Sequence, residues 1–353
     1  MSEDVWSEQD TTPDKIEAAL RELLRRRHAE NHALAPARVL NLIVVVDRAW
    51  KGEIANRLEH VGRYHASRTI LCSVEEGRKT LDAVAVMSYG DAKGGQPGVM
   101  HETVSIDVGS AQLPRLDTIV DPVLVSELPT LLWSPHGHRD AVEALLALID
   151  VILLDSDDEH DATAALSRAD QLRDSAYVVD LAWLRTTPWR ERLAAAFDPP
   201  QRLPELARLD GVAVRHRPTS EASAGLLVGW LASRLGWEVA PLRAENGRGM
   251  EGSASGSAGE VAIALAPVEQ DAPGLAGVTV SWRPGCSLSL DRAKGGLMAR
   301  ERGTDGREQS WIVLGASRGE GGILGEGVRQ ALLRDPTYAP ALDAAQGLWE
   351  AQS

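Results

Sequence analysis

The chain has few cysteines, and this limits the redox chemistry open to it. Its 353 residues include two, Cys72 and Cys286, which lie in predicted strands of different domains. No closely spaced cysteine pair is present, and thiols stay reduced in the cytosol. We therefore expect two buried thiols rather than a redox switch.

Positive charge and long apolar runs are also scarce. Acidic residues outnumber basic ones by 51 to 37, for a formal net charge of -14, whereas nucleic-acid binding relies on clustered Lys and Arg that neutralise phosphates. No apolar run reaches the roughly 18 residues of a membrane span, and the start MSED lacks the basic and apolar regions of a signal peptide. We expect a cytoplasmic protein without nucleic-acid or membrane partners.

The rest of the composition is that of an ordinary globular protein. Hydrophobic residues make up 44% and charged residues 25%, and a chain of this length accommodates about two domains. We predict an N-terminal α/β domain at 12–160, with a mixed, largely parallel sheet and flanking helices. We predict an α+β domain with an antiparallel meander at 161–353.

The segment 113–155 predicts the architecture of the first domain. Apolar runs at 129–133 and 151–155 are typical of strands covered on both faces, and the segment 139–149 between them carries apolar residues at helical spacing. Two strands joined by a helix form a βαβ unit, whose handedness places the loop 134–138 (SPHGH) at the carboxyl edge of a parallel sheet. α/β proteins usually place their sites at this edge.

Other segments carry their own structural signals. We predict a disordered acidic tail at 1–11, a helix that Thr12 caps with Pro13 at its first position, and a flexible Gly/Ser loop at 247–259. Further strands are predicted at 38–47, 67–74, 81–88 and 102–108, and the meander at 260–265, 277–282, 286–290 and 310–314.

The loop 134–138 is the first candidate site. Ser134, His136 and His138 follow a strand end, where a nucleophile and a base could be displayed. However, no G-x-S-x-G elbow surrounds the serine, and no carboxylate is assigned to orient either imidazole. We predict no catalytic residue here. A loop fixed by hydrogen bonds, or part of a binding surface, is the favoured interpretation.

Two further motifs have a functional and a structural interpretation. The acidic run 155–160 (DSDDEH) offers the hard oxygen ligands that suit Mg²⁺, but a charge run that opens a helix is more often a solvated cap. The stretch 312–322 (IVLGASRGEGG) resembles a phosphate-binding turn of a dinucleotide-binding domain, but about forty residues of chain remain and no Tyr-x-x-x-Lys pair follows. We predict neither a metal nor a cofactor.

A turn at 62–68 (GRYHASR) and the tryptophans Trp50 and Trp133 favour a partner surface. Arg and Tyr are frequent in interface hot spots, although salt bridges within the domain are the alternative for this turn. Both tryptophans lie at predicted strand ends, where an indole can be half exposed. The predicted interface residues are Arg63, Tyr64, His65, Arg68, Trp133, Ser134, His136 and His138.

Several long motifs in order carry a family resemblance. They are TPDKIEAALRELLRRRHAEN, ARVLNLIVVVDRAW, NRLEHVGRYHASRTILC and LDTIVDPVL followed by LPTLLWSPHGH, within about 12–155. This part of the chain resembles the glucose-6-phosphate dehydrogenase assembly protein family, OpcA. The resemblance implies a non-catalytic partner that binds glucose-6-phosphate dehydrogenase and favours its active oligomeric form in the oxidative pentose phosphate pathway. The alternative is a small-molecule sensor or an enzyme that uses the carboxyl edge of the first sheet.

Overall fold

The computed structural model describes residues 2–30, 38–62, 67–89, 100–244, 249–257, 259–314 and 320–349, and it has an α/β fold. Its contacts divide the chain into two compact units. The first unit comprises Met1–Leu154, Leu172–Val179 and Leu324–Leu333, and the second unit comprises Asp155–Gln171, Asp180–Ile323 and Arg334–Ser353. The predicted division at residue 160 did not include the two later segments of the first unit, because the sequence does not show which distant residues a short segment contacts.

The first sheet is mixed and largely parallel, as predicted. Within the described residues it has eight strands, in the order β1-β4-β5-β3-β2-β6-β7-β8. They are β1 (Ser2–Glu8), β2 (Leu40–Asp47), β3 (Ser67–Glu75), β4 (Asp82–Tyr89), β5 (Met100–Gly109), β6 (Thr130–Trp133), β7 (Val151–Leu154) and β8 (Tyr177–Asp180). The strands β5, β3, β2, β6 and β7 run parallel. β4 is antiparallel to β1 and β5.

Helices α1 (Pro13–Glu30), α2 (Lys51–Gly62), α3 (Leu116–Val120) and α4 (Arg139–Leu145) belong to the first unit. α1 begins at Pro13, as its N-terminal signals predicted, and buries Ile16 and Leu20. The helix predicted at 139–149 ends earlier, and a 3-10 helix, Leu146–Leu148, continues it. β2 is buried over all but its last residue, which matches the continuous apolar run of a central parallel strand.

The acidic N-terminal segment forms a strand, so the prediction of a disordered tail was wrong. β1 pairs with β4 over seven residues, from Ser2 opposite Tyr89 to Glu8 opposite Ala83. Backbone hydrogen bonds make this pairing, so it needs neither a basic residue nor an apolar run. β1 is an edge strand, and charged side chains are well tolerated at the edge of a sheet.

The second sheet is mostly antiparallel. In the described residues its order is β10-β12-β13-β9-β14-β15-β16-β17, and β11 pairs with β12. Its strands are β9 (Leu209–His216), β10 (Glu238–Val239), β11 (Arg243–Ala244), β12 (Met250–Gly256), β13 (Gly259–Pro267), β14 (Leu275–Trp282), β15 (Cys286–Ala293), β16 (Gly296–Arg302) and β17 (Glu308–Leu314). One pair, β13 and β9, is parallel. The predicted strands at 277–282, 286–290 and 310–314 correspond to β14, β15 and β17, but β16 was not predicted, and β9 lies between β13 and β14.

Residues 250–256 form β12, so the predicted flexible loop at 247–259 was wrong there. The small residues of this strand have a packing reason, since a Cβ on Gly252 would lie 2.7 Å from Leu242 Cδ2. A Cβ on Gly256 would lie 3.1 Å from Trp237. The composition that predicted flexibility thus reflects close approach of the backbone to large side chains.

The remaining helices are α5 (Ala162–Arg173), α6 (Leu181–Phe197), α7 (Leu203–Leu206), α8 (Glu221–Leu235), α9 (Glu320–Leu333) and α10 (Tyr338–Gln346). α8 is buried along most of its length and ends at Gly236, whose φ of 67° lies in the left-handed region. Among the described helices, none has the length and apolar character needed to cross a membrane. Both cysteines are buried free thiols, as predicted, and burial raises the pKa of Cys72 to about 12.

Candidate functional site

Two parallel strands of the first sheet end at the same edge. β2 ends at Asp47 and β6 ends at Trp133, and the register pairs Val44 with Trp133. Because these strands run parallel, Asp47 and the loop 134–138 both leave the sheet at its carboxyl edge. The structure confirms the predicted position of this loop.

Asp47, His136 and His138 meet at this edge, and we refer to them as the Asp-His cluster. One ligand-type atom from each residue lies within 4.8 Å of the other two. Asp47 Oδ1 lies 3.1 Å from His138 Nε2, and Asp47 Oδ2 lies 3.8 Å from His136 Nδ1. The side chain of His138 is 12% exposed, that of His136 is 22% exposed, and that of Asp47 is half exposed.

The ring nitrogens of the cluster differ in their hydrogen bonds. The backbone amide of Asp47 donates to His136 Nδ1 at 3.1 Å, so this nitrogen carries no proton. His138 Nε2 is buried without a hydrogen-bond partner, since its geometry towards Asp47 Oδ1 is not that of a hydrogen bond. Buried polar atoms are nearly always hydrogen-bonded in folded proteins. The unsatisfied nitrogen of His138 therefore calls for a structural or functional reason.

The backbone of the loop fixes the direction of both imidazoles. Gly137 and His138 have positive φ angles of 87° and 30°, and this region is uncommon for a residue with a Cβ. The His138 carbonyl accepts the amides of Ala141 and Val142 at 2.9 and 3.1 Å. His138 is thus the first residue of the α4 hydrogen-bonding pattern, and the helix anchors it.

The environment of His138 disfavours the charged form of its ring. Burial lowers the pKa of His138, and the neighbouring His136 adds to this effect, while the Asp47 carboxylate opposes it. The burial of the ring thus outweighs the attraction of the Asp47 carboxylate for the charged form of His138.

Ser134 has the contacts of a structural residue. Its Oγ lies 3.5 Å from the Val45 carbonyl oxygen and 3.4 Å from the Gly137 carbonyl oxygen, and it can donate to either. A nucleophilic serine needs a base within about 2.6–3.2 Å of its hydroxyl. These contacts agree with the sequence interpretation of a loop held by hydrogen bonds.

Two predicted interface residues are buried, which the sequence analysis did not anticipate. Arg68 is 6% exposed, and its Nε donates to Glu102 at 2.8 Å while its Nη1 donates to the Val123 carbonyl. Trp133 is 4% exposed. Both residues belong to strands inside the sheet, where flanking elements cover them, so neither is available to a partner.

The exposed part of the edge is smaller than predicted. Ser134 and His136 are partly exposed, and Trp50 is 49% exposed, which confirms the half-exposed indole expected there. The Trp50 and His136 ring centroids lie 5.9 Å apart. The other predicted contacts, Arg63, Tyr64 and His65, lie outside the described residues, as do residues 315–319 of the glycine-rich stretch.

The acidic run 155–160 is divided: residues 158–160 are exposed, as a solvated run would be, whereas Asp155 and Asp157 belong to a buried network in the second unit. We call Asp155, Asp157, Asp180, Arg185 and Ser223 the carboxylate network. Arg185 donates to the two oxygens of Asp155 at 2.7 and 2.6 Å, and the amide and hydroxyl of Ser223 donate to Asp157 at 3.0 and 2.6 Å. The side chains of Asp155 and Asp157 are 7% and 6% exposed. α6 and α8 supply these donors, which the local sequence could not indicate.

Asp180 completes this network. It is fully buried at the N-terminus of α6 and accepts the Ser156 amide and hydroxyl at 3.1 and 2.6 Å and the Ala182 amide at 2.9 Å. Burial raises the pKa of Asp157 to about 7 and that of Asp180 to about 6, with the Asp155 charge adding to both shifts. Donors from their own chain hold these carboxylates, which favours a structural role.

Sequence reasoning missed Asp47 as a member of the site. Its signal was its position, because it is the carboxylate that ends a buried parallel strand, as Trp133 ends the neighbouring one. The 89 residues between Asp47 and His136 concealed the pairing. Only the strand order, which places β6 beside β2, brings them together.

Comparisons with known proteins match both halves of the chain. A family model described as the glucose-6-phosphate dehydrogenase subunit N-terminal domain matches residues 58–171, and one described as the C-terminal domain of that subunit matches residues 176–342. A putative OxPP cycle protein OpcA from Synechococcus elongatus is 30% identical over 183 residues, covering 50% of this chain and 41% of that protein. A protein of the same name from Nostoc punctiforme is 29% identical over 150 residues, covering 41% of this chain and 32% of that protein.

The chain spans less than half the length of these curated relatives. Among solved structures, the super-repressor mutant of Gal80p from Saccharomyces cerevisiae aligns with a TM-score of 0.51 at 8% identity, over 88% of this chain and 94% of that one. A likeness at this identity concerns the fold alone. The two domain models, in the expected order, confirm the resemblance carried by the N-terminal motifs, and the chain belongs to the glucose-6-phosphate dehydrogenase assembly protein family, OpcA.

Proposed function

We propose that this protein binds glucose-6-phosphate dehydrogenase and favours its active, oligomeric form, without catalysing a reaction itself. The observation that carries the proposal is the match of both halves of the chain to domains described as parts of a glucose-6-phosphate dehydrogenase subunit. The names of the curated relatives place them in the oxidative pentose phosphate cycle, in which this dehydrogenase reduces NADP.

The activating mechanism is a shift of population. A protein that binds the active oligomer more tightly than the inactive form raises the ratio of active to inactive enzyme, at saturation by the ratio of the two affinities. Linkage makes the effect reciprocal. If glucose 6-phosphate or NADP favours the same active state, it should tighten the complex between this protein and the dehydrogenase. The factor should equal the one by which this protein raises the affinity of the dehydrogenase for that ligand.

The contacts of the candidate site support a non-catalytic role. The Ser134 hydroxyl faces carbonyl oxygens, and the buried carboxylates Asp155 and Asp157 are held by Arg185 and Ser223. A general acid or base has to reach a substrate. These groups are instead engaged with their own chain.

We place the docking surface at the exposed edge formed by Trp50, Ser134 and His136. Trp50 supports this choice because it is half exposed and rests beside the His136 ring. Tryptophan is enriched among residues whose truncation costs an interface about 2 kcal/mol or more. The chain offers a matched control in Trp311 of β17, whose exposure of 41% is similar.

The test is a titration of this protein into its cognate dehydrogenase, with NADPH formation and light scattering followed together. We expect the rate or the substrate affinity to rise as a complex of defined mass forms. The variant Trp50→Ala should weaken the complex roughly 30-fold or more, as a hot-spot residue does, whereas Trp311→Ala should leave it unchanged.

The outcomes separate the role from the surface. If neither mass nor rate changes over a wide concentration range, the assembly role is wrong for this chain. If a complex forms but Trp311→Ala weakens it and Trp50→Ala does not, the role stands and the docking surface lies elsewhere. A complex that forms without any change of rate would refute activation and leave a scaffold.

A further inference from the structure

We infer that the Asp-His cluster binds a divalent transition-metal ion, with Zn²⁺ as the ion that fits it best. The inference starts from the convergence of two imidazoles and one carboxylate, whose ligand-type atoms lie within 4.8 Å of one another. It concerns this chain alone and does not rest on the proposed function.

The spacing of the ligand atoms agrees with a zinc site. Zinc bonds to nitrogen and oxygen are about 2.0–2.1 Å long in tetrahedral sites, so two ligand atoms of one ion lie about 3.3 Å apart. The distance from Asp47 Oδ1 to His138 Nε2 is 3.1 Å, and that from Asp47 Oδ2 to His136 Nδ1 is 3.8 Å. The two distances end on different oxygens of Asp47, and the ligand-type atoms of the three residues lie within 4.8 Å of one another, so the side chains would rotate inward to surround one ion.

The unsatisfied nitrogen of His138 is the second observation. Its Nε2 is buried 3.1 Å from Asp47 Oδ1, yet the contact lacks the geometry of a well-formed hydrogen bond. If the cluster served only as an internal His–Asp pair, that nitrogen would be expected to donate to Asp47. A metal ion that both atoms coordinate would satisfy the nitrogen and would use the existing geometry.

The loop backbone presents the ligands before the ion arrives. His138 keeps its positive φ because its carbonyl is held by the first amides of α4, at 2.9 Å from Ala141. His136 would exchange its hydrogen bond from the Asp47 amide for the metal. Binding would therefore break the hydrogen bond from the Asp47 amide, while Asp47 and His138 already face each other.

The donor set selects the type of ion. Imidazole suits Zn²⁺ and its neighbours in the transition series, whereas Mg²⁺ prefers an all-oxygen shell and retains its waters. Three protein ligands leave one position of a tetrahedral ion open. Asp47 is half exposed, so a water or an added ligand could reach that position.

Calorimetric titration of Zn²⁺ into the chelator-treated full chain tests the inference. We expect one ion per chain. The variants Asp47→Asn, His136→Ala and His138→Asn should each weaken binding by at least about 100-fold, because the loss of an outer-shell partner alone costs 10–100-fold. Asn suits position 138 because it tolerates the left-handed backbone. The control His160→Ala removes an exposed histidine outside the cluster and should leave the affinity unchanged.

Fluorescence gives a second, local readout. A Co²⁺ ion in the cluster would quench Trp50, whose ring lies 5.9 Å from His136, and the quenching should disappear in Trp50→Phe and be reversed by Zn²⁺ but not by Mg²⁺. Circular dichroism establishes that each variant is folded. Equal Zn²⁺ affinity of the wild-type chain and a folded Asp47→Asn or His138→Asn variant would overturn the inference, as would the absence of any saturable binding to the wild-type chain.

Discussion

The Asp-His cluster and the carboxylate network differ in how well their buried polar groups are hydrogen-bonded. In the network, Asp155 is matched by both Arg185 nitrogens and Asp157 by two donors of Ser223. In the cluster, the buried Nε2 of His138 has no hydrogen-bond partner. A charged group that is buried and fully paired is costly to disturb, whereas an unpaired group costs little to remove. The difference separates architecture from a binding site, and the following changes test it.

The largest effect is expected from Arg185→Met in the network. The Arg185 and Asp155 side chains are 10% and 7% exposed, so the substitution would leave a buried carboxylate without its counter-ion. Such a loss typically costs about 3–5 kcal/mol of unfolding free energy. Urea unfolding followed by tryptophan fluorescence measures it.

A matched control is Arg21→Met, which breaks the surface pair with Glu17. The Arg21 side chain is 74% exposed, and such helix pairs contribute about 0.3–0.5 kcal/mol. If both variants lose the same small amount, the Asp155 pair is solvated and the contrast between network and surface fails.

The pH dependence of stability should identify Asp157 next. Its pKa is about 7 in the folded protein against an ordinary value of 3.8, mainly because of burial. Between these values the folded chain holds a proton that the unfolded chain has released, so stability is highest at low pH and falls as pH rises towards 7. The slope is about 1.4 kcal/mol per pH unit for one such group.

The variant Asp157→Asn should flatten this dependence. Urea midpoints are measured from pH 5 to 8 on the wild-type chain and the variant, and the slope that remains in the variant belongs to other groups such as Asp158 and Asp180, whose pKa values desolvation raises to about 7 and about 6. Identical slopes would mean that Asp157 is already ionised in the folded state and that the Ser223 and Arg185 contacts outweigh its burial.

A smaller effect is expected from Tyr338→Phe. The Tyr338 hydroxyl donates to Asp180 Oδ2 at 3.2 Å, and Asp180 keeps its donors from Ser156 and Ala182 after the change. The loss of one such bond costs about 1–2 kcal/mol. Thermal and urea unfolding should agree on this value, and a loss above about 3 kcal/mol would show that the network depends on each of its members.

The smallest effect is expected from Asp47→Asn in metal-free protein. Asp47 is half exposed, and its side chain makes no capping hydrogen bond to the helix that follows. Its removal should change the unfolding free energy by less than about 0.5 kcal/mol. A loss comparable to that of Arg185→Met would place the Asp-His cluster among the structural networks.

The elements that were predicted correctly share a physical property. β2, β6 and β7 are buried on both faces. Such strands require a continuous apolar run, which can be recognised in the sequence alone. β9 and β12 were missed. β9 is buried on alternate positions and carries Asp210, Gly211 and Arg215 on its other positions, while β12 is built of small residues because Trp237 and Leu242 cover it.

Part of the candidate site could be predicted from the sequence. The loop 134–138 and its place at the carboxyl edge followed from the βαβ pattern, because handedness fixes where the loop emerges. The burial of Arg68 and Trp133 could not be predicted from the sequence, because local composition does not show which strand residues the neighbouring elements cover.

The sequence by itself determined the α/β class, the family and the position of the histidine loop, since hydrophobic periodicity and motif order are local properties of the chain. Only the tertiary structure decided which carboxylate each histidine or arginine meets. Asp47 reaches His136 across 89 residues and Arg185 reaches Asp155 across 30. Strand order and helix packing set these pairings, and they depend on the free energy of the whole fold rather than on any segment.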